Sequence, residues 1–230
     1  MAQHFWVVGT DTDVGKTLVT TYLMRFLQEK GDKVTPYKPV QTGIVIENSK
    51  SYYADTALYQ SFSNTVLVDE HINSYSFKIA ASPHYAAMQE GEKINKDGIL
   101  QHINRLKTKF DYVICEGAGG LFVPLDECGN YYFLDLIQES QLPVLLVTRT
   151  TLGTINHTIL SLEALKMRNI PIAGLVFNRD EGNELEINNV HMIQQYINLP
   201  SIKIPSLECT SSIRDIQLEV EPIFERLMKL

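Results

Sequence analysis

The 230-residue sequence contains few cysteines, a single tryptophan and no long hydrophobic run. Its three cysteines, Cys115, Cys128 and Cys209, form no Cys-x-x-Cys pair, which argues against a cysteine metal cage and against a disulfide framework. The longest apolar run, LPVLLV, is far shorter than the ~20 residues that cross a bilayer. The N-terminal residues also do not resemble a signal peptide. We therefore expect a cytoplasmic protein.

Positive charge is also scarce. The chain has 20 Lys and Arg against 27 Asp and Glu, so its formal net charge is −7 and its pI is near 5.4. This balance argues against nucleic acid and against an anionic membrane as partners. Any site for anionic ligands must therefore be a local cluster of cations on a mildly negative protein.

Short apolar segments alternate with helical patterns along the chain, which is typical of an α/β protein. Buried strands are predicted at 5–8, 111–115, 142–149 and 170–179, an extended segment at 202–207, and helices at 16–30, 55–62, 82–91, 94–110, 154–169, 185–197 and the C-terminus. The sequence therefore predicts a mostly parallel sheet with helices on both faces. No repeat or long linker interrupts the pattern, so we expect one domain over residues 1–230.

The segment after the first helix is less regular. Residues 33–40 predict a short strand, and Pro36 and Pro39 favour a position at the sheet edge or at a strand end, because proline cannot donate a backbone hydrogen bond. Residues 42–55 show no clear period, and we expect a loop there.

The stretch GTDTDVGKT, residues 9–17, joins the first strand to the first helix. A strict phosphate-binding loop, G-x-x-x-x-G-K-[ST], would need glycine at position 10, where this chain has Thr10. Gly15, Lys16 and Thr17 match the second half. Gly15 allows close backbone approach, Lys16 would place an ammonium between the outer phosphates, and Thr17 offers a hydroxyl to Mg²⁺. A strand–turn–helix junction that contains GKT by chance is the alternative.

Two acidic residues could complete a Mg²⁺ site, since that ion prefers a few hard oxygens together with phosphate and water. Glu116 directly follows a buried strand, where open α/β sheets gather their ligands. The alternative is a charge that simply faces a loop. Asp55 has weaker support, because ADTALY is equally typical of a helix start with Asp55 as the N-cap.

Five motifs in the same order, GTDTDVGKT, YKPVQTG, SPHYAA, EGAGG and LGTINHT, resemble the dethiobiotin synthetases of biotin biosynthesis. That family's loop is G-T-D-T-x-V-G-K-T, so the displaced glycine belongs to its pattern. The resemblance extends from residue 5 to about residue 210. It implies a P-loop NTPase-like fold and a homodimeric ligase that uses ATP and Mg²⁺. The implied reaction closes a cyclic urea from 7,8-diaminononanoate and CO₂ through a carbamate and a carbamic–phosphoric anhydride, giving dethiobiotin, ADP and phosphate.

The resemblance also implies residue roles. Lys16, Lys38 and Thr12 would act in catalysis, and Thr17, Asp55 and Glu116 would bind Mg²⁺. The residues implied to contact the nucleotide are Thr10, Asp11, Thr12, Asp13, Val14, Gly15, Lys16, Thr17, Glu116, Gly117, Gly119, Asn178 and Pro205. At the adenine, the Asn178 amide would recognise the base and Pro205 would form a wall. A turn-forming asparagine is the alternative for Asn178.

The implied substrate contacts are Thr12, Lys38, Thr42, Gly153 and Asn156. Lys38 would reach the γ-phosphate and the carbamate, whereas a solvated lysine at a strand end is the alternative. Thr42 would lie near the carbamate or else be a plain turn residue. Gly153 and Asn156 would bind the substrate carboxylate across the dimer, or simply begin an ordinary helix. His157 is assigned no role, and the family's tyrosine for the substrate tail has no clear match at 187–197.

Asp11 and Asp13 would repel ATP if both faced it, so we expect that they do not. Asp11 also separates two interpretations, because partition and cell-division ATPases carry a second lysine five positions before the loop lysine. Because this chain has aspartate at that position, the sequence argues against the second candidate function, a switch ATPase that binds nucleotide and a protein partner. A third candidate, an amidating synthase of the cobyrinate type, usually needs a glutaminase domain, for which 230 residues leave no room.

Overall fold

A computed structural model describes residues 4–230. Seven parallel strands form the main sheet in the order β5-β2-β6-β1-β7-β8-β9, and a separate antiparallel hairpin consists of β3 and β4. The strands are β1 Phe5–Gly9, β2 Val34–Thr42, β3 Ile44–Glu47, β4 Lys50–Tyr53, β5 Asn73–Phe77, β6 Tyr112–Glu116, β7 Val144–Arg149, β8 Ile172–Asp180 and β9 Ser201–Pro205.

Helices cover both faces of this sheet. They are α1 Lys16–Glu29, α2 Ala54–Phe62, α3 Asp69–Ile72, α4 Pro83–Gln89, α5 Lys96–Lys107, α6 Phe133–Ser140, α7 Thr154–Met167, α8 Glu184–Tyr196 and α9 Glu221–Leu227, with a 3₁₀ helix at Thr210–Arg214. The predicted α/β class, with a mostly parallel sheet between helical layers, is confirmed. None of the helices within residues 4–230 is both long and apolar enough to cross a membrane.

The central strand β1 shows why this sheet is buried on both faces. Phe5 and Val7 pack into one apolar cluster with α1 and α9, whereas Trp6 and Val8 pack into another with α5 and α6. All four side chains are at most 2 % exposed. Because successive residues of a strand point to opposite faces, an unbroken apolar run is what such a strand requires.

Two predictions for the segment after α1 are wrong. The prolines of β2 favoured a sheet edge or a strand end, but β2 lies between β5 and β6, and Pro36 and Pro39 both lie inside it. Its first half, including Pro36, pairs with β6, and its second half pairs with β5, so the strand changes partner along its length. The predicted loop at 42–55 contains the hairpin of β3 and β4, whose register pairs Ile44 with Tyr53.

The carboxyl ends of the parallel strands meet along one edge of the sheet. Lys38 lies within β2, Glu116 ends β6, Arg149 ends β7 and Asn178 lies near the end of β8. The loop that follows β1 opens at the same edge, because β1 is flanked by β6 and β7. Ligands of open α/β sheets bind outside such carboxyl ends.

Candidate active site

The loop after β1 leads directly into α1 through Gly15. This residue occupies the N-cap position of α1 with φ of 100° and makes no side-chain cap. A Cβ added there would lie 1.9 Å from Nδ2 of Asn178, so only glycine fits both the backbone angle and the contact. The first N–H groups of α1 therefore remain available for an anion at the cavity.

Side chains from three parts of the fold hold the carbonyl groups of this loop. Lys16 Nζ donates to the Asp11 carbonyl at 2.7 Å, Arg149 Nη2 to the Thr12 carbonyl at 3.2 Å, and Asn178 Nδ2 to the Val14 carbonyl at 2.8 Å. Arg149 and Asn178 are cross-strand neighbours in β7 and β8. The loop is thus fixed from the sheet side as well as from its own lysine.

The two loop carboxylates have different surroundings. Asp11 accepts the backbone N–H of Thr12 at 2.7 Å, so its side chain folds back onto the loop. Asp13 has φ of 57° and lines the cavity described below. Thr10 lies on the other side of the loop, where its hydroxyl is 3.2 Å from that of Thr148.

Next to α1, a group that we call the Glu116 cluster brings together Thr17, Lys38, Asp55, Tyr59 and Glu116. The Thr17 hydroxyl lies 2.9 Å from Asp55 Oδ1 and 2.8 Å from Glu116 Oε1, and its single hydrogen is donated to one of them at a time. Lys38 Nζ donates to Glu116 Oε1 at 2.9 Å and also to Asp55 Oδ2. Two residues that are distant in sequence, Thr17 and Lys38, therefore converge on the same two carboxylates.

Burial and charge pairing oppose each other in this cluster. Glu116 is fully buried and Lys38 is 7 % exposed. Burial alone would lower the pKa of Lys38, but the Glu116 and Asp55 carboxylates outweigh it and raise that pKa above its ordinary value. Burial would likewise raise the pKa of Asp55, yet Lys38 and the Thr17 hydroxyl hold it below its usual range. Lys38 and Asp55 are therefore charged at neutral pH.

Lys16 is in a different electrostatic situation. It is buried, and its ammonium is bonded to a backbone carbonyl rather than to a carboxylate. Burial lowers its pKa to about 8, with Glu116 opposing this shift and the Lys38 ammonium adding to it. Close to neutral pH this lysine is therefore charged but easily deprotonated, and a bound anion would favour its charged form.

Tyr59 is a member of the cluster that sequence reasoning missed. It is fully buried in α2, and its hydroxyl donates to Glu116 Oε2. Burial, and next the Glu116 charge, raise its pKa well above the ordinary value, so the hydroxyl keeps its proton. The only sequence signal for it is its position four residues after Asp55, which places both side chains on one face of a helix.

A cavity of about 630 Å³ extends from the Glu116 cluster along the carboxyl edge of the sheet. Of the residues predicted to contact ligands, those that line it are Thr12, Asp13, Gly15, Lys16, Thr17, Lys38, Thr42, Asp55, Gly119, Asn178 and Pro205. Residues 205–210, which we call the far rim, close its other end, and most of them are exposed. Its size is that of a small-molecule site.

Several predicted residues do not line this cavity. Asp11 is exposed away from it, Thr10 contacts Thr148, and Val14 is buried in the apolar cluster with α1, while the Gly117 N–H bonds the Val7 carbonyl at 3.1 Å. The Glu116 side chain does not line the cavity, but it is hydrogen-bonded to Thr17 and Lys38, which do.

The predicted substrate residues Gly153 and Asn156 lie apart from the cavity, at the start of α7. Gly153 is the N-cap residue with φ of 93°, and both residues are exposed. Behind them, the Thr148 hydroxyl contacts those of Thr154 at 2.9 Å and Thr158 at 2.8 Å. Because Thr148 also contacts Thr10, a line of threonine hydroxyls connects the loop to α7.

The donor set of the Glu116 cluster fits Mg²⁺ better than a transition metal. It offers two carboxylates and one hydroxyl, all hard oxygen donors. Within residues 4–230 no group of three or more His, Cys, Asp or Glu side chains could hold a metal ion by itself. Mg²⁺ is commonly held by one or two carboxylates together with substrate phosphates and water, which is what this arrangement allows.

Relatives of known identity cover nearly the whole chain. An ATP-dependent dethiobiotin synthetase BioD of Lysinibacillus sphaericus is 56 % identical over 227 residues, covering 99 % of this chain and 97 % of the relative. The protein of that name from Halalkalibacterium halodurans is 41 % identical over 86 % of this chain and 82 % of its own length. One from Bacillus subtilis is 37 % identical over 87 % and 85 %.

Solved structures share the fold at low identity. The septum site-determining protein MinD of Pyrococcus horikoshii, in complex with Mg-ADP, superposes with a TM-score of 0.60 at 19 % identity, covering 98 % of this chain and 86 % of that one. A ParA family ATPase of Chlorobium tepidum gives 0.57 at 14 % identity, covering 100 % and 92 %. Such likeness shows the fold alone and confirms the predicted P-loop NTPase-like architecture.

A family model described as AAA domain matches residues 3–212. This match and the relatives agree with the loop, the sheet order and the five sequence motifs. The chain therefore belongs to the P-loop family of ATP-dependent dethiobiotin synthetases.

Proposed function

We propose that this ATP-dependent ligase closes the cyclic urea of dethiobiotin from 7,8-diaminononanoate and CO₂, releasing ADP and phosphate. The observation that carries the proposal is the Glu116 cluster beside the loop lysine, in a chain 56 % identical to a protein named for this activity. Lys16 and Lys38 supply positive charge at the cavity, and two carboxylates and a hydroxyl lie next to them.

The first chemical problem is to make an amine nucleophilic. An aliphatic amine has a pKa close to the ~10.4 of lysine, so at neutral pH it is mostly protonated. The positive charges of Lys16 and Lys38 lower that pKa and favour the anionic carbamate, which forms when the neutral amine adds to CO₂ and loses a proton. We propose that Thr12 and Thr42, which line the same cavity, position this carbamate.

Two displacements then complete the ring. A carbamate oxygen forms a bond to the γ-phosphorus while the bond from that phosphorus to the ADP oxygen breaks, giving a carbamic–phosphoric anhydride. The second amine attacks the carbamoyl carbon, the bond to the phosphate oxygen breaks, and the attacking nitrogen loses a proton. We assign Lys16 and Lys38 to the charge that develops on the transferred phosphoryl group, because such catalysis is mainly positioning and charge stabilisation.

Thr17, Asp55 and Glu116 would hold Mg²⁺. Such an ion would offset the negative charge of the nucleotide phosphates during phosphoryl transfer. We propose the remaining nucleotide contacts from where the residues lie around the cavity. The N–H groups of the loop, residues 10–17, would hold the phosphates, with Gly117 and Gly119 close by. Asn178 and Pro205 would contact the base, and the second N–H of the Asn178 amide remains available for this after the bond to Val14.

We further infer that the protein is a homodimer and that each chain forms a single domain. The first turn of α7, with Gly153 and Asn156, would bind the carboxylate of the substrate molecule that occupies the cavity of the partner subunit. The exposed apolar side chains of Leu152 and Met167, 85 % and 81 % accessible, support an interface along this helix. A cytoplasmic location, and the expectation that neither nucleic acid nor a membrane is a partner, remain predictions.

The test is the dependence of nucleotide turnover on the co-substrates. The protein is incubated with ATP, Mg²⁺, bicarbonate and 7,8-diaminononanoate, and ADP and dethiobiotin are measured in parallel. We expect ADP release that requires both the diamine and bicarbonate and that equals dethiobiotin formation. ADP release that is indifferent to both would contradict the ligase and favour a switch ATPase.

A further inference from the structure

Tyr59 is the one member of the Glu116 cluster to which the reaction assigns no role. Its ring packs in the apolar cluster below the sheet with residues of α1 and β1, where phenylalanine would pack equally well. A buried hydroxyl is costly unless it is hydrogen-bonded. Within residues 4–230 its hydrogen-bond partner is Glu116 Oε2. The hydroxyl therefore has a function in this position beyond packing.

The two oxygens of Glu116 have separate surroundings. Oε1 receives the Thr17 hydroxyl at 2.8 Å and the Lys38 ammonium at 2.9 Å, whereas Oε2 receives the Tyr59 hydroxyl. A carboxylate on a glutamate side chain can rotate about its last bond, because that torsion is broad. The Tyr59 hydroxyl fixes this rotation and turns Oε1 towards the side chains that line the cavity.

Tyr59 and Asp55 also share a helix. They lie one turn apart in α2, and both reach the cluster, Asp55 through Thr17 and Lys38 and Tyr59 through Glu116. One helix thus supplies one proposed metal ligand directly and orients the other. Groups that orient metal ligands in this way commonly change metal affinity by 10–100-fold when they are removed.

We propose that Tyr59 is a positioning residue for the metal-binding carboxylate: its hydroxyl holds Glu116 so that Oε1 is presented to the divalent cation. This inference rests on the proposed function, which takes Glu116 as a Mg²⁺ ligand. Tyr59 touches neither nucleotide nor substrate in this scheme, because its side chain is fully buried.

The experiment measures divalent-cation affinity directly. Mn²⁺ is titrated into the protein with a non-hydrolysable ATP analogue, and free Mn²⁺ is followed by electron paramagnetic resonance. Tyr59→Phe removes only the hydroxyl, and we expect it to weaken Mn²⁺ binding 10–100-fold. The matched control is Tyr22→Phe in α1, which removes a hydroxyl that accepts the Leu218 N–H at 2.9 Å, away from the cluster. We expect its Mn²⁺ affinity to stay at the wild-type value.

A third variant separates the possible failures. If Glu116→Gln loses Mn²⁺ affinity but Tyr59→Phe stays within twofold of wild type, Tyr59 does not position the ligand. If Glu116→Gln also keeps wild-type affinity, the proposed metal role of Glu116 fails and the inference fails with it. The analogue is used in excess and affinity is determined for the folded fraction, so that a change in stability alone does not imitate the effect. In turnover, Tyr59→Phe should raise the KM for Mg²⁺ and leave the KM for the diamine unchanged.

Discussion

The two ends of the cavity are built differently. In the Glu116 cluster, buried and half-buried charged and hydroxyl groups from α1, α2, β2 and β6 lie within hydrogen-bond distance of one another. At the far rim, residues 205–210 are mostly exposed, and the backbone bond from Ser206 to Asp180 at 3.2 Å is one of its few ties to the sheet. Side chains are thus held most firmly where phosphoryl transfer would occur. The end of the cavity proposed to bind the base has fewer hydrogen bonds to hold it in place.

The largest expected effect is at the buried lysine of the cluster. Lys38→Ala should lower kcat by about 10²–10³, because a charge that stabilises the transferred phosphoryl group is lost. It should also destabilise the fold by about 3–5 kcal/mol, because buried Glu116 loses its charged partner. Steady-state ADP release and thermal melting measure the two effects. Lys203→Ala, on the exposed face of β9, is the control, and a fully active Lys38→Ala protein would remove this lysine from the mechanism.

The second prediction uses the pKa of Lys16. Because that pKa is about 8, the ammonium loses its proton as pH rises through 8, and binding of a polyanion then requires proton uptake. ATP affinity should therefore be flat just below pH 8 and fall by up to about tenfold per pH unit above it. Calorimetric titrations between roughly pH 7.5 and 9.5 avoid the phosphate pKa near 6. Lys16→Arg keeps its charge and should abolish this slope; a wild-type affinity independent of pH would refute the assignment.

A smaller effect is expected where the loop is held from the sheet. Arg149 donates to the Thr12 carbonyl, and within residues 4–230 its buried Nε has no hydrogen-bond partner. Arg149→Gln should weaken ATP binding by about tenfold, the equivalent of a charged hydrogen bond worth about 1.5 kcal/mol. Isothermal titration tests this. Arg179→Gln, at the next strand end, is the comparison, and equal losses in both variants would point to general charge rather than to the loop.

The smallest effect belongs to the far rim. Pro205→Ala should change the KM for ATP by less than about threefold and leave kcat unaltered, because an exposed surface substitution removes little apolar contact. Comparing kcat and KM with ATP and GTP checks this. A large fall in kcat would mean that the far rim is as tightly organised as the Glu116 cluster, and the contrast between the two ends would not hold.

Local sequence patterns predicted most of the helices and the central strands, but not α3, α6 or β5. The periodic stripe at 16–30 corresponds to α1 at Lys16–Glu29, and the apolar run at 142–149 corresponds to β7. The placement of β2 was not predictable, because it depends on pairing with β5 and β6, which are distant in sequence. Proline lacks a backbone N–H donor, which is why the sequence favoured the sheet edge. A strand that changes partner along its length nevertheless tolerates prolines inside the sheet.

The cluster was predicted in part. Asp55 had an N-cap as its alternative, but Tyr53 occupies that position, and the Asp55 side chain reaches Thr17 and Lys38 instead. Which of these two roles Asp55 has depends on how α2 packs beside α1, and no local sequence pattern specifies that packing. Tyr59 and Arg149 were missed for the same reason: a tyrosine in an apolar helix face and an arginine at a strand end are ordinary until the partner is known.

The line of threonine hydroxyls behind the loop has a further consequence. Each hydroxyl carries a single hydrogen, so the donors between Thr10, Thr148, Thr154 and Thr158 can run in only a few directions. A rotation of the Thr10 hydroxyl would therefore change the hydrogen bonding of Thr148 and, through it, that of Thr154 and Thr158 in α7. The loop after β1 and the first turns of α7 are thereby connected by polar contacts of 2.8–3.2 Å and not only through the apolar layers of the fold.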